Sequence, residues 1–126
     1  MVQIQSILKC DDNSGILFVK CIHLTNKTKK QTSNLGDLIK VSILKKKALK
    51  FKKQQKIFFG LILGLKKKSR RLNGIFIWQH HNRAVVLNFN FKLLGTRIYG
   101  PSCKELKSNK FFLKLKPIIA LGRGVI

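Results

Sequence analysis

A chain of 126 residues, 44% of them hydrophobic and nine of them Phe, is long enough to bury one core and too apolar to be a disordered tail. Its 27 Lys and Arg face four acids, Asp11, Asp12, Asp37 and Glu105, so the formal charge is +23, where a magnitude of about 8 suffices to keep a small domain soluble. An excess of that size repels itself in the free fold and calls for a polyanionic partner, nucleic acid first and an anionic membrane second.

The first predicted element is a half-buried strand, in which Val2, Ile4, Ser6 and Leu8 alternate with Gln3, Gln5 and Ile7. Asp12-Asn13-Ser14-Gly15 follows as a turn, its short polar side chains able to bond the backbone. Ile16 to Leu24 reads as a second strand, apolar on both faces for most of its length, and Thr25 to Gly36 as a polar loop. Leu38 to Leu44 alternates again, with Ile39, Val41 and Ile43 on one face and Lys40 and Ser42 on the other. Lys45 to Lys56 holds seven lysines and no acid, the composition of a loop that is flexible or ordered by RNA. Ile57 to Leu65 is nine residues long, a core strand and not the ~20 residues that a membrane span needs. Its Gly60 and Gly64 mark bulges or bends.

Lys66 to Arg71 is basic at five of six positions and leads into Asn73-Gly74, the strongest hairpin turn in the chain. Ile75 to Trp78 and Arg83 to Asn88 are strand arms joined by Gln79-His80-His81-Asn82. Short strands at this spacing, with turns between them, predict a mostly β fold closed as a small barrel. After Pro101, the capping box Ser102-Cys103-Lys104-Glu105 predicts the start of a short helix, and Lys116-Pro117 should end it. The tail from Ile118 to Ile126 carries no readable pattern. The whole reads as one domain, a barrel over about 1–100 and a helical region with its tail over about 101–126.

The charge is concentrated. Between Asp37 and Glu105 lie seventeen Lys or Arg and no acid. A run of this kind in most proteins is a solvated face; here the missing acids favour phosphate contact. Candidate RNA-binding residues are Lys45, Lys46, Lys47, Lys50, Lys52 and Lys53 in one loop, Lys66, Lys67, Lys68, Arg70 and Arg71 in the next, and Arg83. Lysines outnumber arginines 22 to 5, so most of the charge is sequence-blind neutralisation, with Arg70, Arg71, Arg83 and Arg97 the candidates for planar, shaped contacts. Phe76, Trp78, Phe89, Phe91 and Tyr99 are core residues or platforms for splayed bases.

Other chemistry is thinly represented. His23, His80, His81 and the three cysteines, Cys10, Cys21 and Cys103, match no zinc spacing, and adjacent His80 and His81 would point to opposite faces of an extended segment. Asp11 and Asp12 read as turn caps before they read as an acid–base pair. No phosphate-cradling glycine loop and no nucleophile motif is present, so neither an enzyme nor a cofactor is expected. Three cysteines without a C-x-x-C pair fit a reducing compartment, and neither a secretory block nor an Arg- and Ser-rich transit peptide opens the chain. The lean towards Lys, Asn, Phe, Ile and Leu points to AT-rich codons.

Several collinear blocks resemble one family, the universal large-subunit ribosomal protein fourteen. They are Ile4-Gln5 with Asp12-Asn13-Ser14-Gly15 and Val19-Lys20-Cys21-Ile22; Gly36-Asp37-Leu38-Ile39-Lys40-Val41; Leu61-Ile62-Leu63 through Lys67-Lys68 and Arg70-Arg71 to Asn73-Gly74, Asn82 and Ala84-Val85-Val86-Leu87-Asn88; and Gly95-Thr96-Arg97-Ile98-Tyr99-Gly100-Pro101 with Lys104-Glu105-Leu106-Lys107 and Lys110-Phe111. The resemblance implies a five-stranded β-barrel with a short C-terminal helical region. It implies binding to large-subunit rRNA near the subunit interface, contacts with neighbouring large-subunit proteins, and a bridge to small-subunit rRNA. Bacterial and organellar members also present a docking face for a ribosome-silencing factor. Thr96 and Arg97 match the segment associated with that face, and Lys104, Lys107 and Lys110 are further interface candidates. No membrane partner and no metal is implied.

The departures point to a source. Gln54-Gln55-Lys56 stands where the family usually has Lys-Gly-Asp, and Asn73-Gly74 where it has Asp-Gly. Gln79-His80-His81-Asn82 replaces Phe-Asp-Gly-Asn, and the stretch before Gly95 is about one residue short. Lost acids and a family match that begins almost at Met1 suggest a protein made inside a mitochondrion, with a plastid or bacterial origin as alternatives. The rival to a ribosomal scaffold is a free, sequence-blind nucleic-acid-binding module; a membrane-surface role rests on charge alone.

Overall fold

Strands rich in Ile, Val, Leu and Phe close into a barrel in the computed structural model, which describes residues 1–25, 32–47, 57–108, 118 and 120–126. In chain order the strands are β1 (Ile7–Cys10), β2 (Ile16–Leu24), β3 (Leu38–Lys46), β4 (Ile57–Gly64), β5 (Ser69–Arg70), β6 (Phe76–Ile77) and β7 (Arg83–Leu87). The closed barrel runs β1-β2-β3-β4-β7, so β5 and β6 stand outside it as a two-stranded hairpin. Every neighbouring pair is antiparallel except the closure, where β7 lies parallel to β1 with Lys9 opposite Arg83 and Cys10 opposite Ala84.

Period-two alternation sorts side chains between two cores. One fills the barrel: Leu8, Cys10, Ile16, Val19, Cys21, Ile39, Val41, Phe58, Ile62, Ala84 and Val86 are all buried. The other lies outside β4 and β7. There Leu61, Leu63, Val85 and Leu87 pack with Ile98, Leu106 and Ile118, and Phe59, Phe91 and Leu93 edge the cluster. The stacked rings of Phe59 and Phe91, 5.1 Å apart, belong to that edge. Strands β4 and β7 are apolar on both faces because both faces are covered.

The barrel and helical region agree with the sequence, but several boundaries move. The alternation from Val2 to Leu8 is not one strand. Gln5 adopts a positive φ of 74° and Ser6 N–H donates to the Gln3 carbonyl, so the chain turns there. Val2 instead bridges Ser33 and is fully buried, while Ile4 is 51% exposed. Strand β3 runs past Leu44, so Lys45 and Lys46 belong to a strand and not to a loop, paired with Phe18 and Ile16 of β2. The Ile75–Trp78 arm pairs with Ser69–Arg70 and takes no part in the barrel. Gly64 does sit at a register shift, whereas Gly60 keeps register and makes room for Val41, whose Cγ1 lies 3.0 Å from where a Cβ would stand.

The C-terminal region departs from its capping box. A 3-10 helix spans Lys104–Ser108, and Ile118, Ala120 and Leu121 have α-helical geometry. The buried Ser102 hydroxyl finds no partner among the described residues. Its backbone is taken by the tail instead. Ser102 N–H donates to Gly124 O, Ile126 N–H donates to Ser102 O, and Lys104 N–H donates to Ile126 O, each at 2.9 Å. Pairing with the tail, absent from any local pattern, outcompetes the local cap.

Candidate nucleic-acid interface

The four acids are all bound into the fold. Asp11 is buried, and Arg83 Nη1 donates to its Oδ2 at 2.5 Å. The same guanidinium donates through Nε to Gln79 Oε1 and through Nη2 to Pro101 O at 3.0 Å. Asp12 Oδ2 accepts the Val86 N–H at 3.2 Å, and its Oδ1 accepts the Ser14 N–H at 3.1 Å and the Ser14 hydroxyl. Burial pushes the Asp12 carboxyl above its ordinary range, against the pull of those donors. Asp37 Oδ2 accepts the Asn34 N–H at 2.8 Å. Glu105 takes both branches of Arg71, Nε at 2.6 Å and Nη2 at 3.1 Å, and that hydrogen-bonded guanidinium holds its carboxyl below the usual range. Arg71 Nη2 also reaches Ile126 O at 2.8 Å, tying the hairpin to the chain end.

With Asp11 and Asp12 buried and Asp37 and Glu105 held elsewhere by partners within the fold, the outer faces of β1, β2 and β3 are basic. Lys9, Lys40, Lys45, Lys46 and Lys47 are exposed and Lys20 is half-buried. Register aligns them across strands: Lys9 opposite Phe18, Phe18 opposite Lys45, Ile7 opposite Lys20. Phe18, Ile22 and Leu44, between 39% and 50% exposed, sit among these lysines. Lysine heads on such a face are placed so that they can meet phosphates while their stems and the apolar neighbours offer cover for less polar groups.

Of the residues singled out by sequence, Lys66, Lys67, Lys68 and Arg70 are exposed at and beside the β5–β6 hairpin. Arg71 and Arg83 are committed to Glu105 and Asp11, so their guanidinium donors are spent largely inside the fold. Lys50, Lys52, Lys53 and Lys110 lie outside the described residues. Thr96, Arg97, Lys104 and Lys107 are exposed. Sequence reading passed over Lys9, Lys20 and Lys40, although a lysine alternating with buried Ile39 and Val41 is the signal of an outward strand position.

It also passed over what holds Thr96 and Arg97. Asn13 Oδ1 accepts the N–H groups of Thr96 and Arg97 at 2.7 and 3.0 Å, and Asn13 Nδ2 donates to Thr96 Oγ1 at 2.8 Å. Gly95 permits this approach, since a Cβ there would stand 2.8 Å from Asn13 Oδ1. The pinned loop borders a largely apolar cleft of about 420 Å³ lined by Phe91, Leu93, Thr96, Ile118 and Leu121. Nothing local to Asp12-Asn13-Ser14-Gly15 announces a partner more than eighty residues away.

Two comparisons with known proteins bear on this surface. A family model described as Ribosomal protein L14p/L23e matches residues 1–120. The chain is also similar to the large ribosomal subunit protein uL14 of Carsonella ruddii (strain PV), with 38% identity over 129 aligned positions that take in all of both chains.

Proposed function

The chain belongs to the ribosomal protein L14p/L23e family, and from that premise we propose that it acts as one domain, residues 1–126, holding large-subunit rRNA on the lysine-bearing outside of its barrel. Its role is that of a structural, non-catalytic protein of the large ribosomal subunit. One observation carries the RNA reading: every acid of the chain is engaged within the fold, while Lys9, Lys40, Lys45, Lys46, Lys47 and Lys66 to Lys68 face outward. Lysines as point charges neutralise backbone phosphates without reading sequence. The protein should co-sediment with large subunits and leave them only at high salt or after RNase. Recovery solely in RNA-free fractions, or equal retention on DNA, would return it to the class of free nucleic-acid binders.

We further propose that the Gly95–Tyr99 loop is a partner-binding edge near the subunit interface. It would serve a bridge to small-subunit rRNA, contacts with neighbouring large-subunit proteins and a docking face for a ribosome-silencing factor. Support comes from the pinning of Thr96 and Arg97 by Asn13, which leaves both side chains exposed on a fixed backbone. Arg97→Ala should raise the ratio of free to joined subunits or abolish silencing-factor capture, with folding unchanged; an unaltered subunit profile and unaltered capture would remove Arg97 from this role. Lys104 and Lys107 flank the same C-terminal region, and Lys110 is carried with them from the sequence.

For compartment we propose a mitochondrial ribosome, supported by the lost acids and the AT-rich composition. The full-length bacterial relative favours a second reading, a bacterial ribosome. Mapping the coding sequence to an organellar or a bacterial genome decides between them.

A further inference from the structure

The β5–β6 hairpin projects from the barrel with an unusual surface. Arg71 N–H donates to Ile75 O at 2.9 Å and Gly74 N–H to Arg71 O at 3.0 Å, closing a three-residue loop, Leu72-Asn73-Gly74. Gly74 takes the left-handed position with a φ of 81°. Register sets Ser69 opposite Ile77 and Arg70 opposite Phe76. Residues two apart on a strand share a face, and directly opposed residues share it too. Lys68 and Arg70 on one strand therefore lie beside Trp78 and Phe76 on the other. The Lys68 ammonium sits 5.1 Å from the centroid of the Trp78 ring, as that register requires.

Both rings are open to solvent, Phe76 at 52% and Trp78 at 56%. Holding two large rings in water leaves apolar area unburied, and the exposed contact of Lys68 with Trp78 returns only a modest gain to the fold. The pairing suits one chemistry. Every nucleobase has a π face that stacks on an aromatic ring, and its phosphate then falls within reach of a neighbouring cation. Bases inside a duplex are already stacked on one another and keep those faces hidden; only unpaired nucleotides offer them. A protein surface would need acids to meet Lys68 and Arg70, and the charge of +23 already selects a polyanion.

We propose that this face of the β5–β6 hairpin is a stacking platform for unpaired nucleotides, with bases on Phe76 and Trp78 and phosphates on Lys68 and Arg70. The proposal rests on the RNA-binding reading above and adds to it the structural class of RNA recognised.

Trp78 is the chain's single tryptophan, so its fluorescence reports this face alone. The full chain is titrated with a short single-stranded oligoadenylate and with an adenylate–uridylate duplex of the same length. The single strand should quench Trp78 and the duplex should leave it bright. By anisotropy of labelled RNA, Phe76→Leu and Trp78→Leu should each weaken single-strand binding about tenfold while duplex binding stays within a factor of about two. Phe76→Tyr, which keeps a ring, should retain the parent affinity. Both leucine variants alter residues outside the barrel, and an unchanged circular dichroism spectrum checks that the barrel persists. Equal quenching by duplex, or undiminished single-strand affinity in Phe76→Leu, overturns the platform while leaving RNA binding intact. Quenching by another large-subunit protein in the absence of RNA, with none by the single strand, overturns it in favour of a protein partner. Failure of either RNA to bind with salt dependence overturns the RNA-binding reading itself.

Discussion

On the outside of β4 and β7, Leu61, Leu63, Val85 and Leu87 lie beneath Ile98, Leu106 and Ile118. On the outside of β1, β2 and β3, the corresponding outward positions carry Lys9, Lys20 and Lys40, with no second layer among the described residues. One barrel thus has an outer face finished by its own chain and another left for a partner. The difference teaches how to read a small barrel. A strand apolar at every position needs cover from within the chain, and a strand alternating apolar with lysine announces an anionic neighbour.

The sharpest way to test the covered face is to hollow it. Leu61 is fully buried between β4 and the outer cluster, and Leu61→Ala should cost about 2–5 kcal/mol in urea unfolding. A loss below about 1 kcal/mol would mean that this outer layer is loosely packed and the contrast overstated. Next comes Arg83, which sequence groups with the RNA contacts and the structure ties to Asp11, Gln79 and Pro101. Arg83→Met strands a buried carboxylate and a carbonyl, so about 1–3 kcal/mol of stability should be lost. A stable variant with sharply reduced RNA affinity would transfer Arg83 to the open face.

The open face predicts the reverse. Replacing Lys9, Lys20 and Lys40 together by Gln should leave stability within about 0.5 kcal/mol. The log–log slope of RNA affinity against salt should fall by about 2–3, at 0.7–0.9 per phosphate contact. An unaltered slope would assign the phosphate contacts to other lysines. The smallest effect concerns the tie between the hairpin and the chain end. Glu105 has its carboxyl lowered by Arg71 from an ordinary value of 4.5. Its ion pair therefore stabilises the fold above that value and is lost as pH falls through the lowered one. Because both side chains are partly exposed, the contribution should stay below about 1 kcal/mol. Protection of the Lys104 and Ile126 amides from exchange, relative to unstructured amides at the same pH, should fall across that acid window, and in Glu105→Gln that protection should no longer change with pH. Asp12 works the other way: burial raises its carboxyl above the ordinary 3.8, so its charge weighs against the fold at higher pH and that cost is relieved as pH falls through the raised value.

Much of this was legible from residue patterns. Strands β2, β3, β4 and β7 follow from period-two alternation and apolar runs, and Asn73-Gly74 located the hairpin. The misreadings all concern backbone pairing. Val2 to Leu8 alternates as a strand does, but pairing of Val2 with Ser33 and a left-handed Gln5 break it. Phe76 and Trp78 resemble barrel residues until the register of Arg70 with Phe76 is known. The capping box at Ser102 yields to pairing with Gly124 and Ile126. In the first and third cases a long-range backbone pairing outweighed a local preference, and in the second a hairpin's register decided which face the rings take; neither leaves a periodic trace. The site divides in the same way. Total charge calls for a polyanion partner, but which guanidiniums are engaged internally depends on where four acids come to rest.

The parallel pairing of β1 with β7 has a consequence for biogenesis. During synthesis β1 emerges first, yet its second edge has no partner until residues 83 and 84 have been made. Through that interval the nascent chain carries an open sheet edge on a short segment bearing Lys9, and a short edge with a lysine is the sort of guard that keeps edges from joining wrongly. Barrel closure is thus a late, long-range event, slow by its topology. On the RNA-binding reading proposed above, phosphates beside these strands would screen their lysines and favour that closure.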